Sequence, residues 1–231
     1  MTLKQALAAL KKGGTAQNRK IYGRHGVTGE MFGVSYALQK KLAKQIGTDH
    51  ELALGLWASG NHDARVLATM VCDPAAFTSR QLDTMARELD SYVLTDAFCS
   101  PVVRSEKGLK KFEVWKNRKA EFVSAAAWNI LAGQALRDDQ NDVLTDAYCS
   151  EQIDLIVREI HTRPNRTRHS MNQALISLGV RNPRLEKKAR AAAKKIGKVE
   201  VDHGQTSCTT PDAARYMTKI LEHKKKKAKK K

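Results

Sequence analysis

Apolar residues recur at three- and four-residue steps along nearly the whole chain, and this periodicity restricts the fold more than any other feature. Val34, Leu38, Leu42 and Ile46 follow one another at four-residue intervals, and Gly47 supplies a stop. The pattern continues from Leu52 to Trp57 and breaks at Ser59-Gly60. Asn61 is then placed to cap a run through Val66, Leu67, Met70 and Val71 that ends at Asp73-Pro74. Thr78 and Gln81 have the spacing of a capping box ahead of Leu82, Met85 and Leu89. Further runs extend from Phe122 to Leu131, from Ile153 to Ile160 and from Met171 to Leu178, with Gly179 behind the last. Asn182-Pro183 and Thr210-Pro211 each place a cap residue before a proline at the first helical position, and all five prolines are expected at such boundaries. Only Lys198 to Asp202 alternates in a way that suits a short extended piece. The expected fold class is all-α.

One internal repeat is visible. Val93–Ser100 reads VLTDAFCS and Val143–Ser150 reads VLTDAYCS, seven identities in eight positions at an offset of 50 residues. That offset lies slightly above the roughly 40–47 residues of two-helix solenoid repeats. The octets read as equivalent packing segments of a solenoid, or as one copy adapted for chemistry beside one that stays structural. With 231 residues the chain fits one large domain or an elongated array, expected over residues 1–222. The last segment, 223–231, is expected to be a disordered lysine-rich tail, because Lys224 to Lys231 contains seven lysines that repel one another. Such a tail raises non-specific nucleic-acid affinity, and the same composition also reads as a nuclear-import address.

Lys and Arg number 41 against 24 acidic residues, a formal charge of +17 whose natural partners are polyanions. A spanning helix would need 18 or so consecutive apolar residues, and no such run is present, so a membrane is not the expected partner. The first 14 residues carry Lys4, Lys11 and Lys12 and only short apolar stretches, unlike a targeting signal. Cys72, Cys99, Cys149 and Cys208 lie far apart and are expected as reduced, mostly buried thiols of a cytoplasmic, nucleoid-associated protein. Asp202, His203 and Cys208 match no common zinc spacing and are expected in a structural loop against the last helix. No cofactor or metal is expected, since no glycine-rich phosphate loop, HExxH or nucleophile elbow is present.

Five stretches in order resemble the DNA alkylation repair family: GVSYALQKKLAK (Gly33 to Lys44), LWASGNHDARVLATMV (Leu56 to Val71), DSYVLTDAFC (Asp90 to Cys99), NRTRHSMNQALISLG (Asn165 to Gly179) and IGKVEVDHGQTSCTTPDA (Ile196 to Ala213). The resemblance implies a solenoid of HEAT-like helix pairs with a concave, basic groove for double-stranded DNA, acting as a monomer. It also implies release of cationic N3- or N7-alkylated purines without swinging the base into a pocket. An alkylated purine leaves with little acid help, so one well-placed carboxylate that steadies the positive sugar would suffice. The family's catalytic aspartate falls at Asp96, and the aromatic four residues before it, a tryptophan in characterised glycosylases, falls at Tyr92. That i, i+4 spacing puts both on one helix face. Two positions depart: a second groove tryptophan falls at Gln173, and a groove arginine falls at Ala125, or at Ser124 if the alignment slips by one.

Each candidate also has a plainer reading. Asp96, like its counterpart Asp146, suits capping or pairing with a lysine, and Tyr92 suits a core. Arg163, Arg166, Arg168, His169 and Gln173 form one expected DNA-contact stretch at a helix start, where phosphate would also meet backbone N–H groups. Lys110, Lys111, Trp115, Lys116, Arg118 and Lys119 form a second, with Trp115 expected to be exposed and Trp57 and Trp128 buried. Lys187, Lys188, Arg190, Lys194, Lys195 and Lys198 form a third, which also reads as a solvated helix face. Three functions follow: a DNA glycosylase using Asp96 and Tyr92, a non-catalytic relative that binds branched or distorted DNA, and a helical scaffold for acidic proteins.

Overall fold

The structure is a computed structural model that describes residues 1–137 and 143–228. Among the described residues are thirteen α-helices: α1 (Leu3–Gly13), α2 (Ala16–Arg24), α3 (Tyr36–Ile46), α4 (His50–Ala58), α5 (His62–Val71), α6 (Ser79–Arg87), α7 (Tyr92–Arg104), α8 (Gly108–Trp115), α9 (Glu121–Ala135), α10 (Asp146–Glu159), α11 (Asn165–Gly179), α12 (Pro183–Ile196) and α13 (Ala213–Ala228). Extended pairing among them is limited to one isolated antiparallel bridge, Gly14 to Val34. The fold is therefore all-α. The 198–202 segment forms no strand, since the backbone of Asp202 is instead held by Asn165, which donates through Nδ2 to the Asp202 carbonyl and accepts from its N–H, both at 2.7 Å. Among the described residues no helix is long and apolar enough to cross a membrane.

Local chemistry starts these helices where expected. Thr78 and Gln81 form a reciprocal capping box on α6, Asn61 caps α5 and Asn182 caps α12 ahead of Pro183. Thr2 and Gln5 make a second box on α1. Two expectations about proline are corrected. Pro101 lies inside α7, not at a boundary, and is buried with Phe98 and Val102, whose packing carries the helix past the missing N–H. α13 starts at Ala213, two residues after Pro211, because Asp212 supplies the cap by accepting from Arg215 N at 2.8 Å. At the other end α13 runs through Lys224–Lys227, where a disordered tail is expected. Lysine is a good helix former, its charge suits a helix C-terminus, and Lys224 Nζ donates to the Val180 carbonyl at 3.1 Å. Residues 229–231 of that tail lie outside the described residues.

The described residues divide into two compact units, one of Met1–Gly108 with His203–Ser207, the other of Leu109–Asp202 with the chain from Cys208 on. In the first unit α5 is central, packing on α1, α3, α4 and α7 around the fully buried Leu56, Leu67, Leu94 and Phe98. Burying each such side chain contributes roughly 1.5–3 kcal/mol. In the second, α11 is central and packs on α9, α10, α12 and α13. Gly179 ends α11 at a close approach, since a Cβ there would lie 2.7 Å from Ala189 Cβ on α12. Trp128 meets Phe112 edge to face at 5.2 Å in the same core.

Candidate functional site

The site of the first unit is built from the start of α5. Asn61 Oδ1 accepts from Asp63 N at 3.1 Å and Ala64 N at 3.3 Å, which places Asp63 in the first turn with no solvent exposure. Its carboxylate is held by three consecutive backbone donors: Phe32 N at 2.7 Å and Gly33 N at 2.9 Å on Oδ2, and Val34 N at 2.8 Å on Oδ1. Bonds of this charge-assisted kind are roughly twice as strong as neutral ones. Gly33 has φ +79°, and a Cβ there would lie 2.6 Å from the Thr15 carbonyl, so only glycine fits the clasp. Tyr22 donates its hydroxyl to the Val34 carbonyl, and burial, then the charge of Asp63, raises its pKa. Ser35 follows and caps α3 by accepting from Leu38 N at 3.3 Å. The first turn of α3 is thus fixed by a carboxylate on α5.

These elements and α7 enclose an open cleft of roughly 790 Å³. Tyr22, Tyr36, Gln39, His62, Tyr92, Asp96 and Arg104 are among its lining. Asp96 is exposed and Tyr92 half-buried, one helical turn apart on α7, so the pair singled out in the sequence does share a face and a cavity. The Tyr92 hydroxyl is hydrogen-bonded to His25 Nδ1, with the rings tilted at 57°. A tryptophan could not make that bond through a hydroxyl. Tyr36 is 55% exposed, and Lys40 Nζ lies 4.9 Å from its ring centroid. His62 is buried, and burial, opposed in part by Asp63 and Asp90 and aided by Arg65, lowers its pKa, so its imidazole is neutral near pH 7. The cleft therefore offers aromatic faces, a carboxylate to steady positive charge and a guanidinium for phosphate. Sequence reasoning missed Tyr22, Tyr36, Gln39, His62 and Arg104. The only local signal was an aspartate set into the apolar run after Asn61.

The second octet does a different job. Thr145 caps α10 by accepting from Tyr148 N at 3.2 Å, whereas Thr95 sits within α7 and donates to the Ser91 carbonyl at 2.8 Å. Leu94 and Cys99 are buried, as are Leu144 and Cys149, so the apolar positions correspond. The aspartates do not. Asp146 accepts from Asn182 Nδ2 at 2.8 Å and lies 3.9 Å from Arg184, a structural tie, while Asp96 opens onto the cleft.

The basic stretches are sorted by burial. Lys111 and Trp115, expected as DNA contacts, are each only 3% exposed, with Lys111 Nζ 5.5 Å from the Trp115 ring centroid. The i, i+4 spacing turns both into the core, and this corrects the expectation of an exposed Trp115; Trp57 and Trp128 are buried as expected. Lys116 pairs with Glu113 at 2.7 Å and reaches Gln152 at 3.4 Å. Lys110, Arg118 and Lys119 are exposed. Arg163 is bound to Glu159, Nε to Oε2 at 3.0 Å, and to Asn117 at 2.9 Å. Arg166, Arg168 and His169 are half-buried; Arg168 donates to Asn165 at 3.3 Å, and His169 Nδ1 lies 3.5 Å from Thr210 Oγ1. Of the third stretch, Lys188 pairs with Asp154 at 2.6 Å and Arg190 with Glu186 at 2.8 Å, while Lys187, Lys194, Lys195 and Lys198 are exposed. Gln173 opens onto a separate pocket of roughly 460 Å³ in the second unit, beside Thr210 and Tyr216. Ser124 and Ala125 are buried; Ser124 Oγ lies 2.6 Å from Thr167 Oγ1, joining α9 to α11. Cys72, Cys99 and Cys149 are buried thiols and Cys208 is exposed.

A family model described as DNA alkylation repair enzyme matches residues 3–217. Uncharacterised proteins of Listeria monocytogenes and Listeria innocua are 28% and 29% identical over 207 residues, 87% of this chain and 88% of theirs. A solved structure aligns with TM-score 0.86 at 27% identity over 96% of this chain and 95% of its own. It is described as a new family of proteins related to the HEAT-like repeat DNA glycosylases with affinity for branched DNA structures.

Proposed function

This chain belongs to the DNA alkylation repair family, and on that premise we propose that it binds branched or distorted duplex DNA through the cleft of its first unit. The observation that supports this most is the likeness, over nearly the whole chain, to a protein with affinity for branched DNA. The interior agrees with it. On α9 the positions where the family's groove arginine is expected, Ser124 and Ala125, are buried against the core. Binding needs no chemistry from them; it needs cations such as Arg104 beside an open cleft. The test is fluorescence anisotropy with a labelled four-way junction and a straight duplex of the same sequence across a salt series. Tighter binding of the junction is expected, with affinity falling as salt rises. Equal affinity for the two DNAs overturns the proposal.

A glycosylase activity is the second reading, and the placement of Asp96 favours it. An exposed carboxylate one turn from Tyr92 in a cleft is where a positively charged sugar would be steadied as an N7- or N3-alkylated purine departs. Release of free base from duplex DNA carrying N7-methylguanine, lowered about 10²–10³-fold by Asp96→Asn, is the expected result. No release by excess protein rules this activity out and leaves the binding proposal standing.

A further inference from the structure

Tyr36 is among the more exposed large hydrophobic side chains of the described residues. It stands 55% exposed at the cleft, and its position follows from the clasp of Asp63 on Phe32, Gly33 and Val34 just ahead of α3. Lys40, one turn along α3, lies 4.9 Å from the ring centroid and adds a cation beside an aromatic face. Deeper in the same cleft, Gln39 is 1% and His62 4% exposed. Gln39 Oε1 and His62 Nδ1 are both buried and have no hydrogen-bond partner among the described residues. Buried polar atoms almost always have partners, because leaving one unmet costs about 1–3 kcal/mol. Both side chains line one open cleft, so a ligand drawn into it is placed to meet their unmet atoms. The amide of Gln39 is oriented, since Nε2 donates to the Val34 carbonyl and to Asp63 Oδ1, each at 3.4 Å, which leaves Oε1 as the group on offer. That oxygen only accepts, and the neutral imidazole of His62 serves as donor or acceptor at Nδ1 according to its tautomer.

A planar group with a donor and an acceptor on its edge, a face for stacking and a phosphate nearby is a nucleotide. We propose that this cleft holds one unpaired nucleobase of a branched DNA, stacked on Tyr36, with its edge bonded to Gln39 and His62 and its phosphate toward Arg104. The inference rests on the DNA-binding reading above and deepens it. A paired base would have to be unstacked and unpaired first, at a cost of a few kcal/mol, whereas a nucleotide left unpaired at an incompletely paired branch is already without its partner. A preference for branches that carry an unpaired nucleotide then arises from the single nucleotide admitted to the cleft. Stacking of this kind tolerates any base, so no strong sequence preference is expected.

The experiment uses two three-way junctions of the same arm lengths, one fully paired and one with two unpaired nucleotides at the branch, and the whole chain as wild type, Tyr36→Ala and Tyr36→Phe. Wild type is expected to bind the junction with unpaired nucleotides more tightly. Tyr36→Ala loses about five- to 150-fold in affinity for it, the range for removing one stacked base, and little for the paired junction. Tyr36→Phe keeps the ring and the preference. With 2-aminopurine at an unpaired position, binding by wild type and Tyr36→Phe alters its fluorescence, and binding by Tyr36→Ala does not. Equal affinity of wild type for the two junctions, or an unchanged preference in Tyr36→Ala, overturns this inference while leaving branched-DNA binding intact. Failure of the wild type to bind either junction at low salt overturns both.

Discussion

Replacing Asp63 by asparagine exchanges one oxygen for an NH2 group at the point where α5 holds the segment before α3. Three backbone N–H groups converge on the fully buried carboxylate at 2.7, 2.9 and 2.8 Å, and two of them, those of Gly33 and Val34, belong to buried residues. Asparagine keeps one acceptor oxygen. In its better rotamer that oxygen serves Phe32 and Gly33, and Val34 N–H is left facing the new NH2. Losing a hydrogen bond to a charged acceptor costs about 1.5–3 kcal/mol, and a buried N–H left unmet falls in a similar range, so about 3 kcal/mol is expected. For a chain of this size each kcal/mol lowers Tm by about 2–4 °C, which gives a fall of about 6–12 °C. Thermal melting by circular dichroism measures it. Because the clasp also sets Tyr36 and Gln39, junction affinity falls in the same variant, whereas Tyr36→Ala leaves Tm near that of the wild type. A melting point within 2 °C of wild type would refute the argument that this carboxylate organises the cleft.

Two further outcomes follow from burial and charge. His62 is held below its ordinary pKa of 6.5 chiefly by burial, so the unfolded chain takes up a proton that the folded chain refuses. The His62 contribution to stability is therefore complete above 6.5 and is lost as pH falls toward the folded value. Urea unfolding of His62→Gln should show less loss of stability than wild type between about pH 7.5 and 5.5, and identical pH profiles would exclude His62 as the source. Arg118 and Lys119 are exposed in the turn between α8 and α9, and if each meets a phosphate, replacing both by glutamine lowers the slope of log affinity against log salt by about 1.8. Lys111→Met, at a buried position, should leave that slope unchanged, so a slope lowered equally by both variants would contradict the sorting by burial.

Helix starts were legible in the sequence because a cap is a bond between residues two or three apart: Thr78 with Gln81, Asn61 with Ala64, Asn182 with Leu185. The pairing of Asp96 with Tyr92 on one face was legible for the same reason, since four residues make nearly one helical turn. Burial was not, because it depends on partners far along the chain. Trp115 sits among charges in the sequence yet lies in the core, and Pro101 stays within α7 because Phe98 and Val102 beside it are buried. Two nearly identical octets place their aspartates in opposite circumstances, since Asp146 meets Asn182 across 36 residues while Asp96 meets a cleft. That cleft exists because a carboxylate at position 63 captures the amides of residues 32–34, some 29–31 residues earlier, and no local period of the chain encodes that capture. Short-range bonds set where each helix begins and which side chains share its face; which face meets water was decided only when distant segments closed upon it.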